Sequence, residues 1–97
     1  MIIRIVKMTF DPNRVPDFLE NFEKNKDKIR GFEGCKHLEL LQQEDKPNVY
    51  FTYSWWDEPQ SLENYRHSQL FKGVWAFTKT LFTDKPEAWS LQQKVKL

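Results

Sequence analysis

Two histidines are the only imidazoles in this 97-residue chain, and each stands where acid-base chemistry is conceivable. His67 lies between Arg66 and Ser68, just ahead of the apolar pair Leu70-Phe71. An imidazole ordinarily titrates near pH ~6.5, so His67 could be a general base working near neutrality. The competing reading is a surface or capping histidine at a helix junction. His37 alternates with Glu39, which puts both on one face of an extended segment. They could form a coupled acid-base pair, or be polar residues at an interface or exposed edge. Two such ligands with no third at suggestive spacing are too few for a metal site, and none is expected.

The other candidates are a cation and a set of rings. Arg4 interrupts the apolar run Ile2-Ile3-Arg4-Ile5-Val6, where a charge must find a carboxylate, a ligand anion or a route to solvent. Trp56, Tyr65, Phe71 and Trp75 could wall a pocket that stacks a planar aromatic ligand, with Arg4 or Tyr50 holding a ligand oxygen. The same rings could simply make core, which is the preferred reading of Phe71 and Trp75. Trp56 and Tyr65 carry polar atoms that need partners. Cys35, beside Lys36, could be an activated thiol, yet a lone cysteine opening a strand reads as a small buried residue. The chain has no glycine-rich phosphate loop, so a dinucleotide fingerprint is absent and no cofactor is expected. Flavin held in another way stays open.

These residues need elements to position them. Ile2 to Phe10 is β-branched and loosely alternating, a strand apolar on both faces. Asp11-Pro12 reads as a helix cap with proline at the first helical position, followed by Val15, Phe18, Leu19, Phe22 and Ile29 at helical spacing up to Gly31. After the turn Gly31-Phe32-Glu33-Gly34, Cys35 to Gln43 alternates as a second strand. Val49 to Trp56, the run VYFTYSWW, is the strongest strand. Asp57 with Gln60 reads as a capping box for a short helix through Leu62 and Tyr65. Ser68 caps the next helix, whose stripes Leu70-Val74-Phe77-Leu81 and Phe71-Trp75-Thr78-Phe82 predict deep packing. Ala88 to Val95 closes the chain as a last strand.

The order strand, helix, strand, strand, helix pair, strand is α+β, a ferredoxin-like βαββααβ sandwich with a four-stranded antiparallel sheet, in a single domain over 1–97. Helices cover one face of such a sheet. In β-strand alternation Tyr50, Thr52, Ser54 and Trp56 take one face and Val49, Phe51, Tyr53 and Trp55 the other, so neither suits solvent, and a homodimer packed sheet on sheet is expected. Fifteen Lys and Arg against 14 acids, interspersed, argue against a nucleic-acid partner. No apolar run approaches the roughly 20 residues of a membrane helix, and no membrane partner is expected. One cysteine and a charged, short amino-terminal run predict an uncleaved cytoplasmic protein.

The strand ending in Thr-Phe-Asp-Pro, the turn Gly-Phe-Glu-Gly-Cys, and Phe-Thr-Tyr-Ser-Trp-Trp-Asp-Glu leading to Tyr-Arg-His-Ser-Gln-Leu-Phe resemble the antibiotic biosynthesis monooxygenase family of the dimeric α+β barrel superfamily. The resemblance spans nearly the whole chain. It implies a homodimer whose two sheets form a barrel, with a pocket in each subunit between sheet and helices. Family members include cofactor-independent oxygenases of quinols and polyketide phenols, haem-degrading enzymes, and many members without established activity. In the haem-degrading branch the asparagine position falls here on Val6 and the histidine position on Trp75, with only Trp56 matching, which disfavours haem degradation. The resemblance thus implies a monooxygenase of a planar phenol or quinol. His67 would be the base, Trp56 and Tyr65 the walls, and Arg4 the anion stabiliser. The alternatives are a non-catalytic binder of a small aromatic ligand and a structural dimer whose pocket its own rings fill.

Overall fold

A computed structural model describes all residues 1–97. Strand β1 (Ile2–Thr9) runs into a single 3-10 turn at Pro12–Arg14 and then helix α1 (Val15–Arg30). Strands β2 (Cys35–Gln42) and β3 (Val49–Trp56) form a hairpin, followed by helices α2 (Pro59–Arg66) and α3 (Gln69–Thr78) and strand β4 (Glu87–Gln92). The four strands are antiparallel neighbours in the order β2-β3-β1-β4, the α+β arrangement expected from the sequence.

Local chemistry explains most boundaries. The Asp11 carboxylate accepts the Asn13 amide, so Asp11 caps the 3-10 turn rather than α1, whose regular part starts at Val15. The expected capping box at Asp57 does not form: Glu58 holds the cap position of α2 without a side-chain bond, and Pro59 opens the helix. Asp57 instead turns to Ser61, whose hydroxyl holds the carboxyl below the usual range. Ser68 does cap α3, its Oγ accepting from the Phe71 amide at 3.1 Å. The last strand stops at Gln92, short of Val95, and all six of its residues are exposed.

Register assigns the two faces of the sheet. Arg4 stands opposite Ser54 and Ser90, and Val6 opposite Thr52 and Ala88, on the inner face beneath the helices. Ile5 stands opposite Tyr53 and Trp89, and Ile3 opposite Trp55 and Leu91, on the outer face. Trp56, at 1% exposure, therefore lies under the helices, while Trp89 and Leu91 remain over 40% exposed outside. The His37 and Glu39 side chains bond to each other on that outer face, with the imidazole 4.6 Å from the Trp55 ring.

The core is divided. Met8, Phe10, Phe18, Tyr50 and Leu81 form one cluster, and Cys35, Trp56 and Leu62 another. The deep packing expected for α3 is only partly met, because Thr78 is its one buried residue and Phe77 is 39% exposed. Leu70, Phe71, Val74 and Trp75 are only half-buried, and three of these four border open space on one side.

Candidate functional site

That open space is a cavity of about 300 Å³ between the inner face of the sheet and the helices. It separates the two core clusters, drawing Met8 and Phe18 from one and Trp56 and Leu62 from the other. Its solvent-exposed borders are Arg66, Glu87 and Ala88, so its mouth opens between the end of α2 and the start of β4. A volume of this size is at the lower end for small-molecule sites, enough for a compact planar ligand.

Aromatic rings make one wall. Trp56 stacks on Tyr65 with centroids 5.0 Å apart, Tyr65 meets Phe71 edge-on at 5.2 Å, and Phe71 lies parallel to Trp75 at 5.9 Å. These four are the rings singled out in the sequence, and all four line the cavity. The Trp56 indole donates to Ser54 Oγ at 3.0 Å, which satisfies its buried N–H and fixes the ring. Burial pushes the Tyr65 phenol far above its ordinary range. Tyr65 therefore stays neutral, able to donate a hydrogen bond and unable to act as a base at neutral pH.

Arg4 also lines the cavity, halfway along the strand that forms its floor. Its Nη1 donates to Ser90 Oγ at 2.9 Å on the neighbouring strand. Burial, and next the field of Arg66, weaken its hold on its proton, with Glu63 partly offsetting them. Of the three destinies open to a charge on this strand, an internal carboxylate is not the one realised.

His67 lies apart from the cavity, where the competing reading of a surface histidine at a helix junction would put it. It ends α2 with 76% of its side chain exposed, its Nε2 3.4 Å from Glu63 Oε2, and it does not border the cavity. Successive helical residues are about 100° apart, so with Tyr65 turned inward His67 points roughly 200° away, toward solvent. Tyr50 is likewise displaced from the expected role of holding a ligand oxygen. It is buried among Phe10, Phe18 and Met8, and its hydroxyl accepts from Gln42 Nε2 at 3.2 Å. Cys35 is buried at 5% exposure, and burial raises its thiol, as the small-core-residue reading requires.

Thr52 and Ser54, on the Trp56 face of β3 as strand alternation requires, supply hydroxyls to the floor. Arg66 joins them from α2, where adjacency to Tyr65 was the only cue. Val6 and Trp75 both border the cavity and neither can ligate iron, and no histidine lines it, so these residues do not fit haem. The His37-Glu39 pair is on the opposite side of the sheet and belongs to the outer face.

Residues 1–75 match the family model described as antibiotic biosynthesis monooxygenase. No curated protein matches the chain. Solved structures are closely similar in shape. A conserved protein from Methanosarcina mazei Go1 is 21% identical with a TM-score of 0.90, covering 97% of this chain and 94% of that one. A structure described as an antibiotic biosynthesis monooxygenase is 13% identical with a TM-score of 0.91, covering 98% and 100%. A protein from Mycobacterium tuberculosis is 15% identical with a TM-score of 0.90, covering 98% and 96%. At these identities the likeness speaks for the fold.

Proposed function

This chain belongs to the antibiotic biosynthesis monooxygenase family, and from that premise we propose that it is a cofactor-independent monooxygenase of a planar phenol or quinol, acting as a cytoplasmic homodimer. The observation that carries the reading is the aromatic-walled cavity with a guanidinium in its floor. A quinol ring would lie along Trp56 and Tyr65, bounded by Phe71 and Trp75, with its oxygen toward Arg4. A positive charge in a partly desolvated site favours the ionised phenol, which is the electron-rich form able to reduce dioxygen. The balance is quinol plus dioxygen giving hydroxyquinone plus water, with one oxygen atom inserted at a ring C–H and the other leaving as water. The substrate supplies all four electrons. Apolar walls keep bulk water from the reduced-oxygen intermediate. The phenolic proton leaves through the mouth to solvent, because no histidine lines the cavity and its one carboxylate, Glu87, stands at the rim.

The outer sheet face supports the homodimer. It carries Ile3, Ile5, Tyr53, Trp55, Trp89 and Leu91 in register, a contiguous apolar surface of the kind a monomer rarely exposes.

Oxygen uptake over a panel of quinols and phenols tests the reaction. The wild type is expected to consume oxygen with at least one, Arg4→Gln to lose about 10²-fold in kcat/KM, and His67→Ala to be unaffected. No uptake by the wild type across the panel refutes the oxygenase reading. The second reading, a non-catalytic binder, is then favoured if the same compounds still raise the melting temperature.

A further inference from the structure

The polar chemistry of the cavity is one-sided. Two guanidinium groups, Arg4 and Arg66, line it. Arg66 spends its Nη1 on Glu63 Oε1 at 3.0 Å, on the exposed side of α2. Arg4 spends its Nη1 on the neutral Ser90 hydroxyl and forms no salt bridge. The Nε and Nη2 edge of Arg4, the fork that receives a carboxylate side-on, has no acceptor in the protein. Glu87 is the only acidic residue bordering the space, and it pairs in register with Lys7, whose neighbours Ile3 and Ile5 define the outer face. Strand alternation thus turns Glu87 away from the interior.

Arg4 keeps a route to solvent through the exposed Ser90 hydroxyl, yet it is partly buried beside an apolar chamber with no counter-charge, and the field of a second cation adds to the cost of that placement. A leucine at position 4 would pack the same strand without it. The arrangement makes sense if the missing counter-charge arrives with the ligand.

We propose that the ligand of this cavity is a planar aromatic carboxylate, its ring against Trp56 and Tyr65 and its carboxylate received by Arg4, with Arg66 at the mouth drawing the anion in. This rests on the cavity being the substrate site, and it narrows the substrate class from neutral quinols to ring systems bearing an acid. Arg4 is then the specificity-determining residue. Arg66, exposed and already bonded to Glu63, contributes long-range attraction.

The test is a calorimetric comparison of 1-hydroxy-2-naphthoate with 1-hydroxy-2-naphthamide on the full chain at pH 7. The two share ring and shape and differ in charge. The acid is expected to bind at least about tenfold more tightly, the worth of one charge-assisted bidentate contact. Arg4→Gln should remove that preference by weakening the acid at least about tenfold more than the amide, and Arg66→Gln should weaken the acid mainly at low salt. Amide binding equal to or tighter than acid binding overturns the inference and leaves the cavity standing as a site for neutral rings. An equal loss of both ligands in Arg4→Gln also overturns it, with the Arg66→Gln salt response as a second measure should Arg4→Gln misfold. If neither ligand binds the wild type, the cavity is not a site for planar aromatics, and both the functional reading and this inference fall.

Discussion

Gly34 offers the sharpest link between one residue and the packing of the turn before β2 against α2. It has φ of +90°, the only positive value in the chain. A Cβ built there would lie 2.4 Å from both Cβ and Oγ of Ser61 and 2.7 Å from Asp57 Oδ1. Its carbonyl meanwhile accepts the Asp57 amide at 2.9 Å, so the turn and the start of α2 are held together at this point. Gly34→Ala meets two independent costs. Forcing a side chain into that backbone region costs about 1–3 kcal/mol, and overpacking against Ser61 costs about another 1–3 kcal/mol. The sum, about 4 kcal/mol, is a large part of the 5–15 kcal/mol typical of a domain. Urea unfolding followed by circular dichroism reads it directly. Gly73→Ala is the control, because it lies inside α3 with nothing within 4 Å of the added methyl. It should gain about 0.5–1 kcal/mol from helix propensity. The pair Gly34→Ala with Ser61→Gly should recover about 1–3 kcal/mol of coupling, since it relieves the overlap and leaves the backbone cost. If Gly34→Ala loses under about 1 kcal/mol, or if no coupling to Ser61 is found, the close approach of turn to helix is wrong.

Two other outcomes follow from burial and from the outer face. Cys35 and Tyr65 are both raised by burial, so the folded state holds their protons more tightly than the unfolded chain does. Stability should be intact below the ordinary thiol value of 9.0 and fall as pH climbs past it and past the ordinary phenol value of 10.0. Tyr65→Phe should flatten the upper part of that decline in urea midpoints taken from pH 7 to 11, and an unchanged slope would contradict it. Ile5→Lys places a charge between Tyr53 and Trp89 on the outer face, and should convert a species of twice 11.8 kDa into one of 11.8 kDa in sedimentation velocity. A wild type that is monomeric at micromolar concentration would remove the basis for the dimer.

Strand periodicity made the sheet legible from sequence, because alternation leaves only two ways to place VYFTYSWW, and placing Trp56 inside fixes Arg4 and Val6 by pairing. The cavity was less legible. Phe71 and Trp75 read as core by spacing, and spacing cannot distinguish a ring that touches other side chains from one that borders space. His67 stayed ambiguous between pocket mouth and surface cap, and what separates the two is the inward placement of Tyr65, from which helical spacing turns His67 toward solvent. The cap at Glu58 was missed because Asp57, the better capping residue by type, is engaged with Ser61 instead. Arg66 gave no signal beyond its neighbourhood, since a helix-surface arginine three residues from a glutamate ordinarily reads as a solvated ion pair.

The edge strand that borders the mouth has a consequence for how the molecule breathes. β4 pairs with β1 alone, every one of its residues is exposed, and Glu87 and Ala88 border the cavity. In a single protomer an edge strand with so little buried surface belongs to the part of a fold that opens first, ahead of global unfolding, and a partner sheet packed on Trp89 and Leu91 would hold it more firmly. Detachment of β4 also removes the Ser90 hydroxyl from Arg4 and widens the entrance, so a small excursion in local stability and admission of a ligand are one motion. A molecule bound inside opposes that motion in proportion to its affinity. Amide exchange in residues 87–92 is therefore expected to report occupancy of the cavity without any need for turnover, slowing when a ligand is bound.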